Sequence, residues 1–544
     1  MALMRITAGM GTRMKRIESQ IVICGGGLGG TLAAYSAAQE GKRVILLEET
    51  DWIGGQLTSQ AVPPDEHEWI ESQGCTRSYR EYRNSVRDYY RSLPGYSEEI
   101  KKQEHFCPGD SEVSFLSHPP KVALRLLTEM LEPYVSGGLI TVFHRAVMCR
   151  CVVQDDEIQS VVYRIDGEDV EIVGSYYLDA TDTGELICHS GAEYRVGAES
   201  RAETGEEDAP AEADPADMQP ITYTACIENR RTGDYTIPKP PLYETFRQHM
   251  MPYDKYPLYS MFGPDSSTGK AKQFGMFVGE RGENGEELFP LFIYRRIVKA
   301  DYFTDGSQPY DVTLINWPQN DFFLGNIIDC QDAAQNRDLA QQFTLGFVYW
   351  LQTEAPRPDG GKGYPWFRLA PEYLGTENGL SMAPYVRESR RIKAKFTVTE
   401  ECVCDEEKCS FPDSVGVGRY PIDLHITTGS HSFFYKPTYR FTIPLGAMIP
   451  VRMKNLLPAC KNIGTTHLTN GCYRLHHIEW NIGEVAGLLA SFALDMGIRP
   501  VDVWGNGAYF EKFAALLEQH GIQRYWEQDP EKNVRSSKPK RVHN

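Results

Sequence analysis

Long apolar runs are absent from this 544-residue chain: 18 apolar residues never follow one another, so no segment reads as a membrane-spanning helix. Basic residues are in deficit. Lys and Arg number 56 against 74 Asp and Glu, a formal net charge of -18. A surface of that sign argues against nucleic acid or anionic membrane as the main partner. The basic stretch Arg535–Arg541 (RSSKPKR) is a local exception and reads as a solvated tail. Cys-x-x-Cys is missing, which removes a redox-active disulfide of that kind. The 13 cysteines are odd in number and scattered, so they suggest no disulfide framework and fit a reducing, cytoplasmic setting. Cys402, Cys404 and Cys409 lie close together, but a fourth ligand at the usual spacing is lacking and no metal site is assigned. The opening MALMRITAGMGTRMKR is basic yet has neither a continuous apolar segment nor a cleavage site, so it is expected to be a lead-in rather than a signal peptide.

What is present is the composition of a globular protein, 41% hydrophobic and 24% charged, long enough for about two to four domains. Residues 20–24 (QIVIC) predict a buried parallel strand. A glycine turn, Gly25-Gly26-Gly27-Leu28-Gly29-Gly30, follows. Thr31–Glu40 predicts a helix ended by Gly41, and Arg43–Leu47 predicts a second strand running into Glu48. Together these make a βαβ unit. Lys121–Leu131 predicts an amphipathic helix followed by Pro133; Leu139–Arg145 and Val147–Val153 predict strands with a turn at Asp155-Asp156, and Val161–Ile165 and Glu171–Leu178 continue an antiparallel β pattern. Residues 203–217 (ETGEEDAPAEADPAD) are acidic and lack an apolar face, as a surface linker does. Aromatics and prolines are dense from 235 to 375, where they suit either a core or a wall facing a ligand. The α/β pattern returns at Asn455, with a short strand at Leu456–Ala459 and an apolar helix from Gly483 to Leu494.

The expected fold is α/β: a discontinuous Rossmann-like dinucleotide-binding domain, 18–215 with 416–505, interrupted by an α+β substrate domain over 216–415. A C-terminal helix and the basic tail occupy 506–544.

Gly25, Gly27 and Gly30 supply the G-x-G-x-x-G spacing. The first permits a tight turn, the second lets a pyrophosphate approach the backbone, and the third lets helix and strand pack. The phosphates then meet the free N–H groups of the helix N-terminus. Glu48 can accept hydrogen bonds from a ribose and would repel a 2′-phosphate. Three features favour FAD over NAD. Gly54-Gly55-Gln56 lets the chain pass close under a large cofactor. The strand Ile172–Leu178 leads into Asp179-Ala180-Thr181-Asp182-Thr183-Gly184 and brings the chain back to it. Gly483 is expected to open a helix aimed at the pyrophosphate or flavin. The candidate cofactor residues are Gly25, Gly27, Leu28, Gly29, Gly30, Glu48, Gly55, Gln56, Val147, Thr181, Gly184 and Gly483. A second G-x-G-x-x-G is lacking, since Gly416-Val417-Gly418 has neither the third glycine nor the helix. No separate nicotinamide domain is therefore expected.

These segments resemble the glutathione-reductase-like FAD superfamily, and more closely the FAD-dependent oxidoreductase family, whose flavin domain is broken by an inserted substrate region. The resemblance covers about 20 to 500 and rests on Gly25–Gly30, Trp52–Thr58 (WIGGQLT), Asn316–Asp321 (NWPQND), Arg387–Ile392 (RESRRI), Tyr420–His425 (YPIDLH) and Asn455–Gly487. It implies FAD as cofactor and redox chemistry, without naming a substrate. Two stretches depart from the family pattern: Ala459-Cys460-Lys461, where Ala-Gly-Arg is common, and His476-His477-Ile478-Glu479.

A flavin dehydrogenase takes hydride from a C–H bond and often needs a base for the attached hydroxyl or amine. The segment Thr465–Asn481 holds His467, Asn470, Arg474, His476, His477 and Glu479. His467 and Arg474 match types the family commonly places there. The expected catalytic residues are His467 as the base, Arg474 as an electrostatic partner of substrate or reduced flavin, and Asn470. Arg387, Arg390 and Arg391 either clamp an anion or form ion pairs with Glu388 and its surroundings. Asp423 and His425 share a strand face. The leading expectation is a dehydrogenase or oxidase acting on a small polar alcohol or amine, sugar-like compounds among them, with oxygen or another acceptor reoxidising the flavin. A monooxygenase, or a protein using FAD without net redox, is the alternative.

Overall fold

The computed structural model describes residues 14–251, 254–265, 268 and 270–527. The tail Arg535–Arg541 lies outside them. A five-stranded parallel sheet organises the first half of the molecule. Its strands are β1 (Ile21–Cys24), β2 (Val44–Leu47), β3 (Ile140–Phe143), β4 (Tyr176–Asp179) and β5 (Leu456–Pro458), in the order β5-β4-β1-β2-β3. β1, β2 and β4 are wholly buried, as their unbroken apolar sequences require of a sheet covered on both faces. β5 comes from the far end of the chain and pairs parallel with β4, Leu457 beside Leu178.

α1 (Leu28–Gln39) follows β1 directly. α2 (His467–Tyr473) and α3 (His476–Met496) follow β5. α3 packs lengthwise on α1, and its small residues set the spacing. A Cβ on Gly483 would collide with the main chain of Gly29, and one on Gly487 with the carbonyl of Ala33. Gly483 therefore does not open a helix, contrary to the sequence expectation. It sits two turns inside α3, and its role is close helix crossing. The helix begins earlier because Leu475, in extended conformation, caps it, and His476 through Asn481 already follow the helical path.

Other boundaries moved for identifiable reasons. Pro133 does not end its helix, which runs Pro120–Ser136. Pro133 is exposed and lies in the last turn, where the acceptor it leaves without a donor can face water. Ile172–Leu178 is two strands: Glu168–Val173 belongs to a second, four-stranded sheet, and β4 begins at Tyr176. The acidic stretch 203–217 is exposed in part but clamped at both ends. The Glu206 carboxylate accepts from the Glu400 N–H and the Thr466 hydroxyl (2.8 and 2.6 Å), and Asp217 accepts from Gly429 and Ser430 (2.9 Å each).

A separate core, running from Met218 to Val386 with Ile426, fills the middle of the chain. It packs the helix Ala333–Thr353 against the antiparallel strands Ala225–Asn229, Val312–Ile315 and Phe367–Leu369. Most of the aromatics between 235 and 375 go into this core, as Tyr259 against Phe343 and Tyr364 against Phe367 show. Residues 398–424 contribute instead to the core of α3.

Candidate functional site

Two cavities flank the segment 383–387. The first opens at the C-terminal ends of β1, β2 and β4 and is lined by Gly25, Gly27, Glu48, Gly55, Val147 and Thr181, with Glu49, Asp182, Glu185 and Arg337. This is the mouth of a parallel sheet beside its first helix, where nucleotides bind in such folds. The glycines behave as their spacing requires. Gly25 has φ +96°, and a Cβ there would strike Ala180. A Cβ on Gly30 would strike the carbonyl of Gly25. Over Gly27 the nearest atom to such a Cβ is 3.4 Å away, so this backbone is open to a ligand. Glu48, at the end of β2, accepts from the Gly26 N–H (2.9 Å) and from the N–H and hydroxyl of Thr50 (2.8 and 2.6 Å). Burial pushes its pKa up to about 8. A carboxylate so poorly hydrated gains from ribose hydroxyls as donors.

The remaining candidates divide. Thr181 and Val147 line the cavity. Leu28 and Gly29 are buried in the first turn of α1, and Gly184, with φ +70°, turns the chain against Arg390. Gln56 points inward. Its Nε2 donates to the Arg474 carbonyl (3.1 Å) and to the Glu479 carboxylate, while its Oε1 has no donor.

From Gln56 a buried polar chain runs on through residues the sequence did not assign to the cofactor. Glu479 Oε1 accepts from the Gly29 N–H at the start of α1 (3.2 Å). Lys461 Nζ lies 3.9 Å from Glu479 and 2.5 Å from Asp182, which also accepts from Gln60 Nε2 (2.6 Å). Asn470 donates to the Lys461 carbonyl (3.0 Å). Three amide oxygens on this chain, of Gln56, Gln60 and Asn470, are buried without a donor among the described residues. Orphaned acceptors need a partner, and the N–H and hydroxyl donors of a flavin and its ribityl chain suit them. The residues present therefore fit FAD. The only sequence hint at Lys461 was its departure from Ala-Gly-Arg.

The second cavity is lined by Asp65, Tyr294, Arg295, Asn316, Tyr385, Arg387, Tyr420, Asp423, His425 and Arg474. Along 385–387 the side chains alternate: Val386 faces the first cavity, and Tyr385 and Arg387 the second. The cavities thus share a wall one strand thick. His425 Nδ1 lies 2.5 Å from Asp321 Oδ2. Burial pushes the Asp321 carboxyl up, but Arg387 and His425 outweigh it and hold it below the usual range, so it stays ionised. An ionised carboxylate only accepts, so Nδ1 carries a proton, and in the neutral imidazole the lone pair is on Nε2. Asp423, 3.7 Å from Nε2, is too distant for a hydrogen bond.

His467 is placed elsewhere. It is not among the residues lining either cavity, and its Nδ1 sits 3.0 Å from both oxygens of Glu388. Burial, then the Arg391 guanidinium, lower its pKa to about 4. The arginines of 387–391 form ion pairs: Arg391 with Glu388 and Glu199, Arg387 with Asp321, Arg390 with Asp329. His476 is a structural link, its Nδ1 accepting from the Asp65 N–H (3.0 Å). Among the described residues no cluster of three or more His, Cys, Asp or Glu is placed to hold a metal, and no helix is long and apolar enough to cross a membrane.

A glycine-turn βαβ unit closed by Glu48, with a sealed polar chain beyond it and a second cavity across one strand, defines a dinucleotide-binding enzyme. The family comparison is more specific. The model of the FAD dependent oxidoreductase family matches residues 20–517, and the chain belongs to that family and uses FAD. A curated relative, the FAD-dependent monooxygenase ntnJ of Nectria sp, is 32% identical over 63 residues, 12% of this chain and 15% of that protein. Among solved structures, E. coli quinol fumarate reductase FrdA aligns over 93% of this chain and 74% of its own, at 11% identity and a TM-score of 0.33. A geranylgeranyl bacteriochlorophyll reductase-like protein from Thermoplasma acidophilum aligns over 94% and 85%, at 9% identity and a TM-score of 0.32.

Proposed function

We propose that this FAD-dependent oxidoreductase is a dehydrogenase or oxidase of a small polar alcohol or amine, bound in the second cavity. The observation that carries the reading is the Asp321–His425 pair beside the second cavity, whose lining residue Arg474 is joined through its main-chain carbonyl to Gln56 of the polar chain that would meet the flavin. When bound, FAD supplies a two-electron acceptor able to take a hydride from a C–H bond. His425 Nε2 takes the hydroxyl or amine proton, and Asp321 fixes the tautomer and stabilises the cation that forms. His425 lines the cavity, whereas His467 lines neither cavity and burial lowers its pKa to about 4. Tyr294, Tyr385 and Tyr420 give the cavity flat apolar faces to exclude water. Oxygen or another small molecule would serve as the final electron acceptor. The 13 free thiols support a cytoplasmic setting.

Anaerobic mixing tests this reading. The oxidised enzyme is exposed to a panel of alcohols, sugars, hydroxy acids and amines, and separately to NADH and NADPH. Bleaching of the flavin absorbance by a panel member alone is expected. Bleaching only by a nicotinamide donor would make the enzyme a monooxygenase. Bleaching by neither, with dithionite still effective, would point to FAD without net redox.

A further inference from the structure

We propose that the second cavity is an anion site built on Arg474, and that the substrate is a small hydroxy or amino acid held there by its carboxylate. This rests on the reading of that cavity as the substrate site.

Of the arginines that line the cavity, Arg295 and Arg387 are in contact with carboxylates and Arg474 is not. Arg295 grips Asp65 through both carboxylate oxygens (2.9 and 3.1 Å). Asp321 is shared by Arg387 (2.8 Å) and His425. Glu66 is bound by Arg83 and by the Tyr79 hydroxyl (2.6 Å). Asp423 accepts from the Tyr420 hydroxyl (3.4 Å). Arg474 remains. It is 3% exposed. Nη1 donates to the Tyr385 hydroxyl (2.7 Å) and Nη2 to the main-chain oxygen of Asp423 (3.1 Å). Its Nε has no acceptor, and it forms no ion pair with a carboxylate among the described residues. Asp423 and Asp65 act on it only at longer range, and a buried cation with no carboxylate in contact is a costly arrangement. A guanidinium fork is matched best by a planar carboxylate. Tyr385 adds a second handle, because its oxygen accepts from Arg474 while its own O–H remains free to donate.

The size of the ligand follows from Asp423. Its main-chain oxygen touches Arg474, and its carboxylate lies 3.7 Å from His425 Nε2. The anion site and the base are therefore one residue apart. A molecule that meets both carries its hydroxyl or amine within a few bonds of its carboxylate.

The test uses the FAD-loaded enzyme and probes that differ only in charge: acetate, malonate and L-lactate against acetamide, malonamide and lactamide. Binding is read by calorimetry and by the flavin difference spectrum. At least one acid is expected to saturate, with its amide about 30-fold weaker, the scale of a charge-assisted hydrogen bond. Arg474→Gln should abolish the preference. Tyr385→Phe, which keeps the cation in place, should reduce it by about 5-fold or more, and the visible spectrum verifies that each variant has folded around FAD. Amides that bind as tightly as acids, or acids that fail to saturate up to their solubility, overturn the proposal. The first of these results would indicate that the cofactor itself neutralises Arg474. The same titrations on His425→Gln separate the two readings. Acid binding there, with no hydroxy or amino compound bleaching the native flavin, leaves the anion site standing and removes the oxidation.

Discussion

At the residue scale, the two histidines offer the sharpest contrast. Both have Nδ1 against a carboxylate, but only His425 lines a cavity. With a reducing substrate in hand, His425→Gln should slow flavin reduction by roughly 10²–10⁴, the worth of a positioned base. His467→Gln should cost less than about 10-fold in the same stopped-flow measurement. Equal losses would return the base to His467. Both histidines were visible in the sequence, and so was the pairing of Asp423 with His425 on one strand face. What was not visible is Asp321, 104 positions from His425 along the chain. No local pattern predicts which carboxylate a distant strand will bring to an imidazole. Lys461, Gln60 and Asp182 were missed for the same reason: their meaning lies in the polar chain they complete.

At the scale of elements, α1 and α3 decide how the cofactor turn is held. They meet closely at Gly483 against Gly29, where a methyl group at 483 has nowhere to go. Gly483→Ala should destabilise the fold by about 1–3 kcal/mol through overpacking. The same substitution should also weaken FAD retention, because the displaced helix carries the Gly27 turn. Thermal melting with and without added FAD measures both, and an unchanged Tm would show that the helices can slide apart freely.

α3 also buries Glu484. It accepts from the Ser78 hydroxyl, which in turn accepts from Trp480 Nε1 (2.7 Å). Burial pushes its pKa up to about 7 from an ordinary 4.5. A carboxyl raised in the folded state favours folding while protonated. Its contribution is complete below pH 4.5 and is lost as the pH rises through about 7. Glu484→Gln removes that titration. The Tm of the variant relative to the native protein should therefore rise between pH 5 and pH 8, by an amount on the order of 3 kcal/mol in stability. A difference independent of pH would mean that Glu484 is already ionised in the fold. The sequence showed an apolar, small-residue helix here, but its start was read seven residues late. The polar His476–Asn481 stretch looked like a loop, yet these side chains are buried by neighbours from far along the chain.

At the scale of the whole molecule, the parallel sheet and its glycine turn were legible because they are local: strand, turn, helix, strand and acid within 30 residues. The return of the chain at β5 was legible only as a renewed α/β texture, and its place beside β4 is a matter of topology. The substrate cavity was the least legible feature. It draws on Asp65, Tyr294, Tyr385, His425 and Arg474, which no stretch of sequence holds together.

The central claim is that FAD occupies the site built on Gly25–Gly30, Glu48 and the polar chain to Asn470. The most direct measurement is the visible spectrum and FAD content of the purified protein beside its Gly27→Glu variant. The native protein should be yellow, with about one FAD per chain, since a single such site is present among the described residues. The variant places a carboxylate where the backbone is open to the pyrophosphate and should be colourless while retaining its far-ultraviolet circular dichroism. A Gly27→Glu protein with its full complement of FAD would contradict the assignment.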